Sequence, residues 1–291
     1  MINELDIRNK ARQFMAGLDL SRIDTDLSVY IQKVKAKLKT EEMDEGESGY
    51  TLTKRDGTST IIVNELERRE RQRFSACHEI GHIVLELSSN HKETPAWSYA
   101  KREDNEIACD MFAAELLMPY DQFKADVDKA EPSFELVERL RAKYVTSFSA
   151  TASRVAAVTD YPCAFVTMNS SVIRHASRSA ALRTLNAWIA PKSPIPDGSV
   201  ARQLVKDGQR SGESPDVSQD VWFQDWPQGY DLTELAKHYS QYDETFALLW
   251  FEGDSGPEEP VNTFSGKPQE DDGGLKELDG VLQFSKRTKR R

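Results

Sequence analysis

The chain is poor in cysteine, in long apolar runs, in net positive charge and in histidine, and each scarcity excludes something. Three cysteines in 291 residues, Cys77, Cys109 and Cys163, give no disulfide framework and fit a reducing compartment. No apolar run approaches the roughly 20 residues needed to span a bilayer. The opening "MINELDIRNKARQF" lacks the charged-then-apolar layout of a signal peptide, so the expected location is the cytoplasm, with no membrane partner. A formal net charge of −10 argues against a surface given over wholly to nucleic acid, though it leaves room for a local basic patch. The 38% of apolar and 30% of charged residues describe a globular protein with polar segments. Its length accommodates one or two domains with a sizeable core.

With only five histidines in the chain, the stretch "FSACHEIGHIVLEL" (74–87) stands out. An HExxH pattern arises by chance in under about 1% of such chains. On a helix, residues four apart share a face, so His78 and His82 can direct both imidazoles at one ion. Glu79 lies about 100° round the helix from His78, placed to reach a ligand of the ion rather than the ion. Zinc suits two neutral imidazoles and one carboxylate with a fourth position open to water. It lowers the pKa of that water from 15.7 towards roughly 7, and Glu79 would take the proton and pass it to the leaving amine. The third ligand should be a carboxylate on a second helix. "NEIACDMF" supplies Glu106, with Asp110 four residues on, placed to accept the free N–H of a ligand imidazole. HExxH followed by ExxxD resembles the gluzincin arrangement of metallopeptidases.

Upstream, "DLSVYIQKVKAKL" puts Leu27, Ile31, Val34 and Leu38 near helical spacing with Asp26 as cap. "YTLTKRDGTSTIIVN" reads as a hairpin about Asp56-Gly57, a turn whose central positions call for positive φ. The strand at Thr60 to Asn64 is a candidate for holding an extended substrate by strand addition. After the motif come a polar loop and the helix "EIACDMFAAELLM", ending before Pro119. Short helices follow over 120–158, one capped by Ser133, and "TSFSATASRVAAV" has the rhythm of the second helix of a helix-turn-helix-like pair. From Asp160 the texture changes: "CAFVTMN" and "TFALLWFEG" read as buried strands, with "LTELAKHYSQY" as a helical pattern before the second. Beyond Gly253 the polar composition reads as a flexible tail. No internal repeat is present.

Taken together, "TIIVNELERRERQRFSACHEIGHIVLEL", Glu106 and "FAAELLMP" resemble the ImmA/IrrE family of metallopeptidases. In that family an "IxxN" strand precedes "RFxxxHExGH", and an "ExxAxxFAxxLLMP" helix carries the third ligand. The resemblance covers roughly residues 30–160, including "LRAKYVTSFSATASRV" as the family's helix-turn-helix-like segment. It implies a helix-turn-helix transcriptional repressor as the substrate, and a GAF-like sensory domain in the carboxy-terminal part. It assigns His78, His82 and Glu106 as zinc ligands, with manganese as an alternative ion, and Glu79 as the base. The chain departs from the family pattern at Glu86, Cys109 and Asp110. Glu86 is read as a solvated helix-end carboxylate, or else a residue near the site.

Cys109, three residues after Glu106, is either a small buried hydrophobe or a thiolate that fills the open coordination position and inhibits the enzyme. Cys77 and Cys163 are expected in the core. His91 and Tyr99, in the loop between the two site helices, are either solvated or oxyanion donors. His175 and His238 show no partner spacing. Between Ser171 and Arg210 seven basic residues face two acidic ones. Arg174, Arg178 and Arg183 are candidates for sensing an anion, either single-stranded nucleic acid or a nucleotide; the alternative is an ordinary charged face.

The expected fold class is α+β. A mostly helical zincin-like peptidase domain with a small sheet (1–132) leads to a helix-turn-helix-like segment (133–160), an α/β GAF-like domain (161–252) and the tail (253–291). The expected function is zinc-dependent cleavage of a repressor to derepress genes. The alternative is a non-enzymatic DNA-binding transcriptional regulator with a structural metal site.

Overall fold

The computed structural model describes residues 4–23, 25–44, 46–88, 104–223 and 230–252. The fold is α+β and divides into two compact units between Leu117 and Met118. Among the described residues no helix is long and apolar enough to cross a membrane.

The first unit runs α1 (Glu4–Met15), α2 (Ser28–Lys33), β1 (Ala36–Glu41), β2 (Gly49–Thr53), β3 (Ser59–Asn64), α3 (Arg69–Leu85) and α4 (Asp104–Leu117). Its sheet has the order β1-β3-β2, with β1 parallel and β2 antiparallel to β3. The helix expected across Leu27 to Leu38 is therefore cut short. Asp26 does accept the Ser28 N–H at 2.7 Å, but α2 ends at Lys33 and Leu38 lies in a strand. Apolar spacing over one or two turns does not separate a short helix running into a strand from one long helix.

The hairpin forms as read, but only Gly57 has positive φ (82°). Asp56 instead accepts the Thr58 N–H at 2.9 Å and the Thr58 hydroxyl at 2.6 Å, an Asx-type closure of the turn. A second correction concerns β3. It is the central strand, paired on both sides, so Thr60 to Asn64 cannot receive an added strand. Ile61 and Val63 turn from β3 into a core shared with α3, α4 and α1. There the fully buried Phe112 of α4 meets Phe14 of α1, ring centroids 5.8 Å apart. Burying such a ring contributes about 1.5–3 kcal/mol.

The second unit runs α5 (Tyr120–Val127), α6 (Phe134–Tyr144), α7 (Phe148–Val158), β4 (Cys163–Asn169), β5 (Val172–Arg178), α8 (Ala180–Thr184), α9 (Val200–Asp207), β6 (Ser211–Ser218), α10 (Gln219–Trp222), β7 (Asp231–Tyr239) and β8 (Glu244–Trp250). The five strands form one antiparallel sheet in the order β5-β4-β8-β7-β6. Alternate residues serve two cores. Ala164, Val166 and Leu249 pack with Leu182 of α8 and Leu204 of α9, while Phe165, Leu248 and Trp250 pack with Leu140 of α6 and Val155 of α7.

Two-sided burial explains why "LTELAKHY" is a strand and not the expected helix. Five consecutive residues, Leu232 to Ala236, are buried, which erases the polar alternation that marks a half-exposed strand. Glu234 is tolerated inside because Ala201 N and Trp222 Nε1 each donate to its carboxylate at 2.8 Å. Ser133 caps α6 as expected, accepting from Leu136 N. No residue of α7 is exposed, and its one basic side chain, Arg154, is buried and donates to Met118 O at 3.0 Å.

Candidate metal centre

Helices α3 and α4 build the site, and a glycine sets their separation. A Cβ on Gly81 would lie 3.2 Å from Cys109 Cα, 3.3 Å from its Cβ and 3.4 Å from its carbonyl oxygen. One turn before Cys109 on α4, Glu106 faces the HExxH turn of α3. His78 Nε2 lies 3.1 Å from Glu106 Oε2 and 3.1 Å from His82 Nε2, and His82 Nε2 lies 3.5 Å from Glu106 Oε1. Enlarging Gly81 to Val should force the helices apart. We expect a loss of about 1–3 kcal/mol of stability together with weaker metal binding, measured by urea unfolding and by zinc titration.

The tautomers show what this triangle can hold. His78 Nδ1 is 2.9 Å from Asp110 Oδ1, and His82 Nδ1 is 3.2 Å from Leu87 O. A carboxylate and a carbonyl accept only, so each Nδ1 carries a proton, and Nε2 is the atom through which each ring, once neutral, presents a lone pair. Two lone pairs and a carboxylate then converge on one point. Glu106 Oε1 is buried and, among the described residues, accepts no hydrogen bond. Such a point demands positive charge. Donors about 2.0–2.1 Å from a tetrahedral centre lie about 3.3–3.4 Å apart, close to the 3.1, 3.1 and 3.5 Å found here. The residues present fit a zinc ion.

The same demand for positive charge shows in the electrostatics. Burial pulls the His78 imidazole down, but hydrogen bonds to Asp110 and Glu106 and the charges of Asp110 and Glu79 outweigh it and raise it to about 9. The adjoining His78 and His82 imidazoles hold the Glu106 carboxyl far below the usual carboxylate range.

Glu79 is buried, 2% exposed. Its carboxylate lies with the two imidazoles in a cluster whose ligand atoms are within 4.8 Å of one another, and Thr51 Oγ1 of β2 donates to its Oε2 at 2.6 Å. Cys109 is fully buried in the α3–α4 contact. Burial first, then the charges of Glu106, Asp110 and Glu79, push its thiol up. Cys77 is fully buried and raised to about 12 by burial. Glu86 is exposed and left-handed at the end of α3, φ 56°. His91 and Tyr99 lie outside the described residues.

Sequence reasoning missed Thr51, the Leu87 carbonyl and the close approach at Gly81. Only Thr51 left a signal, since alternation along "GYTLT" puts it on the face of β2 that turns towards the helix.

In the second unit Arg174 and Arg178 lie on β5 and Arg183 on α8. Arg178 donates to Ala187 O and stacks over Trp188, 5.1 Å from the ring centroid. Burial and the neighbouring Arg183 lower it to about 10. Arg183 is exposed.

No curated protein matches the chain. Among solved structures it is similar to a Mycobacterium tuberculosis transcriptional regulator, with 11% identity and a TM-score of 0.56 over 84% of this chain and 74% of that one; at that identity the likeness is one of fold. Residues 31–156 match the family model of the IrrE N-terminal-like domain, Peptidase_M78, a likeness that supports a peptidase-type role and takes in every residue of the imidazole–carboxylate cluster.

Proposed function

We propose that the chain is a cytoplasmic zinc-dependent endopeptidase that cleaves a helix-turn-helix transcriptional repressor and so derepresses the genes it controls. The observation that carries this is the convergence of His78, His82 and Glu106, with Nδ1 partners that leave both Nε2 atoms facing the carboxylate. These three residues would hold Zn2+, and the same donor set takes Mn2+. Once bound, the ion would supply Lewis acidity towards a carbonyl oxygen and a water molecule. Glu79 takes the proton of the attacking water and delivers it to the leaving amine. Asp110 and the Leu87 carbonyl hold the imidazole rings in their tautomers. An extended substrate would run along the outer edge of β2, the strand that touches Glu79.

Within the second unit, residues 161–252 would be the GAF-like sensor, keeping the peptidase silent until a signal arrives. A five-stranded antiparallel sheet covered on both faces supports that reading. The DNA-reading alternative requires a recognition helix laid into the major groove, whereas α7 has no exposed residue and its arginine is buried.

The test is incubation with the product of a neighbouring helix-turn-helix repressor gene, with and without EDTA and single-stranded DNA. Discrete, EDTA-sensitive cleavage is expected. A zinc-loaded protein that leaves the repressor intact under all conditions overturns the reading. If Arg174, Arg178 and Arg183 sense single strands, affinity should fall with salt on a log–log slope of about −0.7 per phosphate neutralised. Reversing all three to Glu should then abolish stimulation while metal content stays unchanged. A normal response from that variant would turn the search to a small anionic ligand.

A further inference from the structure

Thr51, which contacts Glu79, lies outside the HExxH and ExxxD motifs. The two residues are 28 positions apart, on β2 and α3. Pairing places Thr51 opposite Ile61, on the face of the sheet that turns towards the helices, where Ile61 and Val63 enter the core. β2 lies so close to β3 here that a Cβ on Gly49 would sit 2.7 Å from Ile62 O; the strand holds this position because residue 49 is glycine. The Oγ1···Oε2 distance of 2.6 Å is that of a hydroxyl donating to an ionised carboxylate. Glu79 is 2% exposed, so bulk water is a poor substitute donor. A glutamate has three rotatable side-chain torsions, and an anchored oxygen removes most of that freedom.

We infer that Thr51 is a positioning residue for Glu79: its hydroxyl anchors one carboxylate oxygen and keeps the carboxylate beside the two imidazoles. The assignment rests on the reading of Glu79 as the base. It predicts that losing the hydroxyl impairs Glu79 without touching the metal ligands.

The test uses the zinc-loaded full chain and acetohydroxamic acid, a small chelator whose hydroxyl proton needs a nearby carboxylate to accept it. Calorimetric titration is run on the wild type, Thr51→Val, Thr51→Ser and Glu79→Gln, beside a zinc titration and a melting curve for each. Thr51→Val keeps the shape and removes the donor. It should bind the hydroxamate about tenfold more weakly, as Glu79→Gln should, with zinc affinity at the wild-type level. Thr51→Ser should restore the affinity. Equal affinity in the wild type and Thr51→Val, with Glu79→Gln weakened, overturns the assignment of Thr51 and leaves the base in place. Indifference of the probe to Glu79→Gln overturns the base and the inference with it, as does a protein that takes up no zinc. A loss in Thr51→Val that serine does not restore, or that comes with weaker zinc binding, makes Thr51 a tie between strand and helix and overturns the inference as well.

Discussion

Glu79→Gln is expected to abolish most proteolysis while leaving the fold and the metal in place. Removing a general base typically costs about 10²–10⁴ in rate. The substitution is close to isosteric, and the amide carbonyl can still accept from Thr51 Oγ1, which now reaches Oε2 at 2.6 Å. His78, His82 and Glu106 keep their mutual distances in this variant, so zinc should titrate as in the wild type and the melting curve should move little. Repressor cleavage followed by gel, beside a zinc titration, separates the two effects. Near-normal cleavage would remove Glu79 from the chemistry.

Asp110→Ala should act on the metal instead. It deletes the acceptor 2.9 Å from His78 Nδ1, freeing the ring to rotate and to adopt the tautomer with its proton on Nε2. Loss of such an orienting partner weakens metal affinity by about 10–100-fold. Asp110→Asn should cost less, because its amide oxygen can still accept the Nδ1 proton. Competition with a chromogenic chelator measures both. An unchanged zinc affinity in Asp110→Ala would make Asp110 a partly exposed surface charge with no part in the site.

How much of this was legible in the sequence depended on how local the cause was. The spacing of His78, His82, Glu106 and Asp110 follows from helical periodicity, and the structure brings all four together. The Ser133 cap, the Gly57 turn and the strands at Cys163 and Glu244 also follow from nearby residues. What stayed hidden depends on residues distant in sequence. β1 is a strand because β3 pairs with it in parallel, although Val34 and Leu38 continue a helical rhythm. "LTELAKHY" is a strand because cores cover both faces of it, and its glutamate is buried with them. The Leu87 carbonyl could not be foreseen at all, since any residue offers one. The closeness of Gly81 to Cys109 is likewise a property of two helices together.

The end of α3 ties the His82 ring to the backbone. Glu86 takes a left-handed conformation at φ 56°, which ordinarily costs a non-glycine residue about 1–2 kcal/mol. Leu87 N donates to His82 O at 3.1 Å, while Leu87 O lies 3.2 Å from His82 Nδ1. Residue 82 is thus joined to residue 87 through both its carbonyl and its ring, and the turn cannot open without releasing the imidazole. With a cation held at His82, fraying of the last helical turn and release of the ring from its orienting carbonyl would therefore be coupled. By linkage, the free energy a cation gains at His82 must reappear as resistance of that turn to opening. Amide deuterium exchange at Leu87 becomes a gauge of metal occupancy, slowing as zinc is added and quickening as it is stripped, with no substrate in the tube.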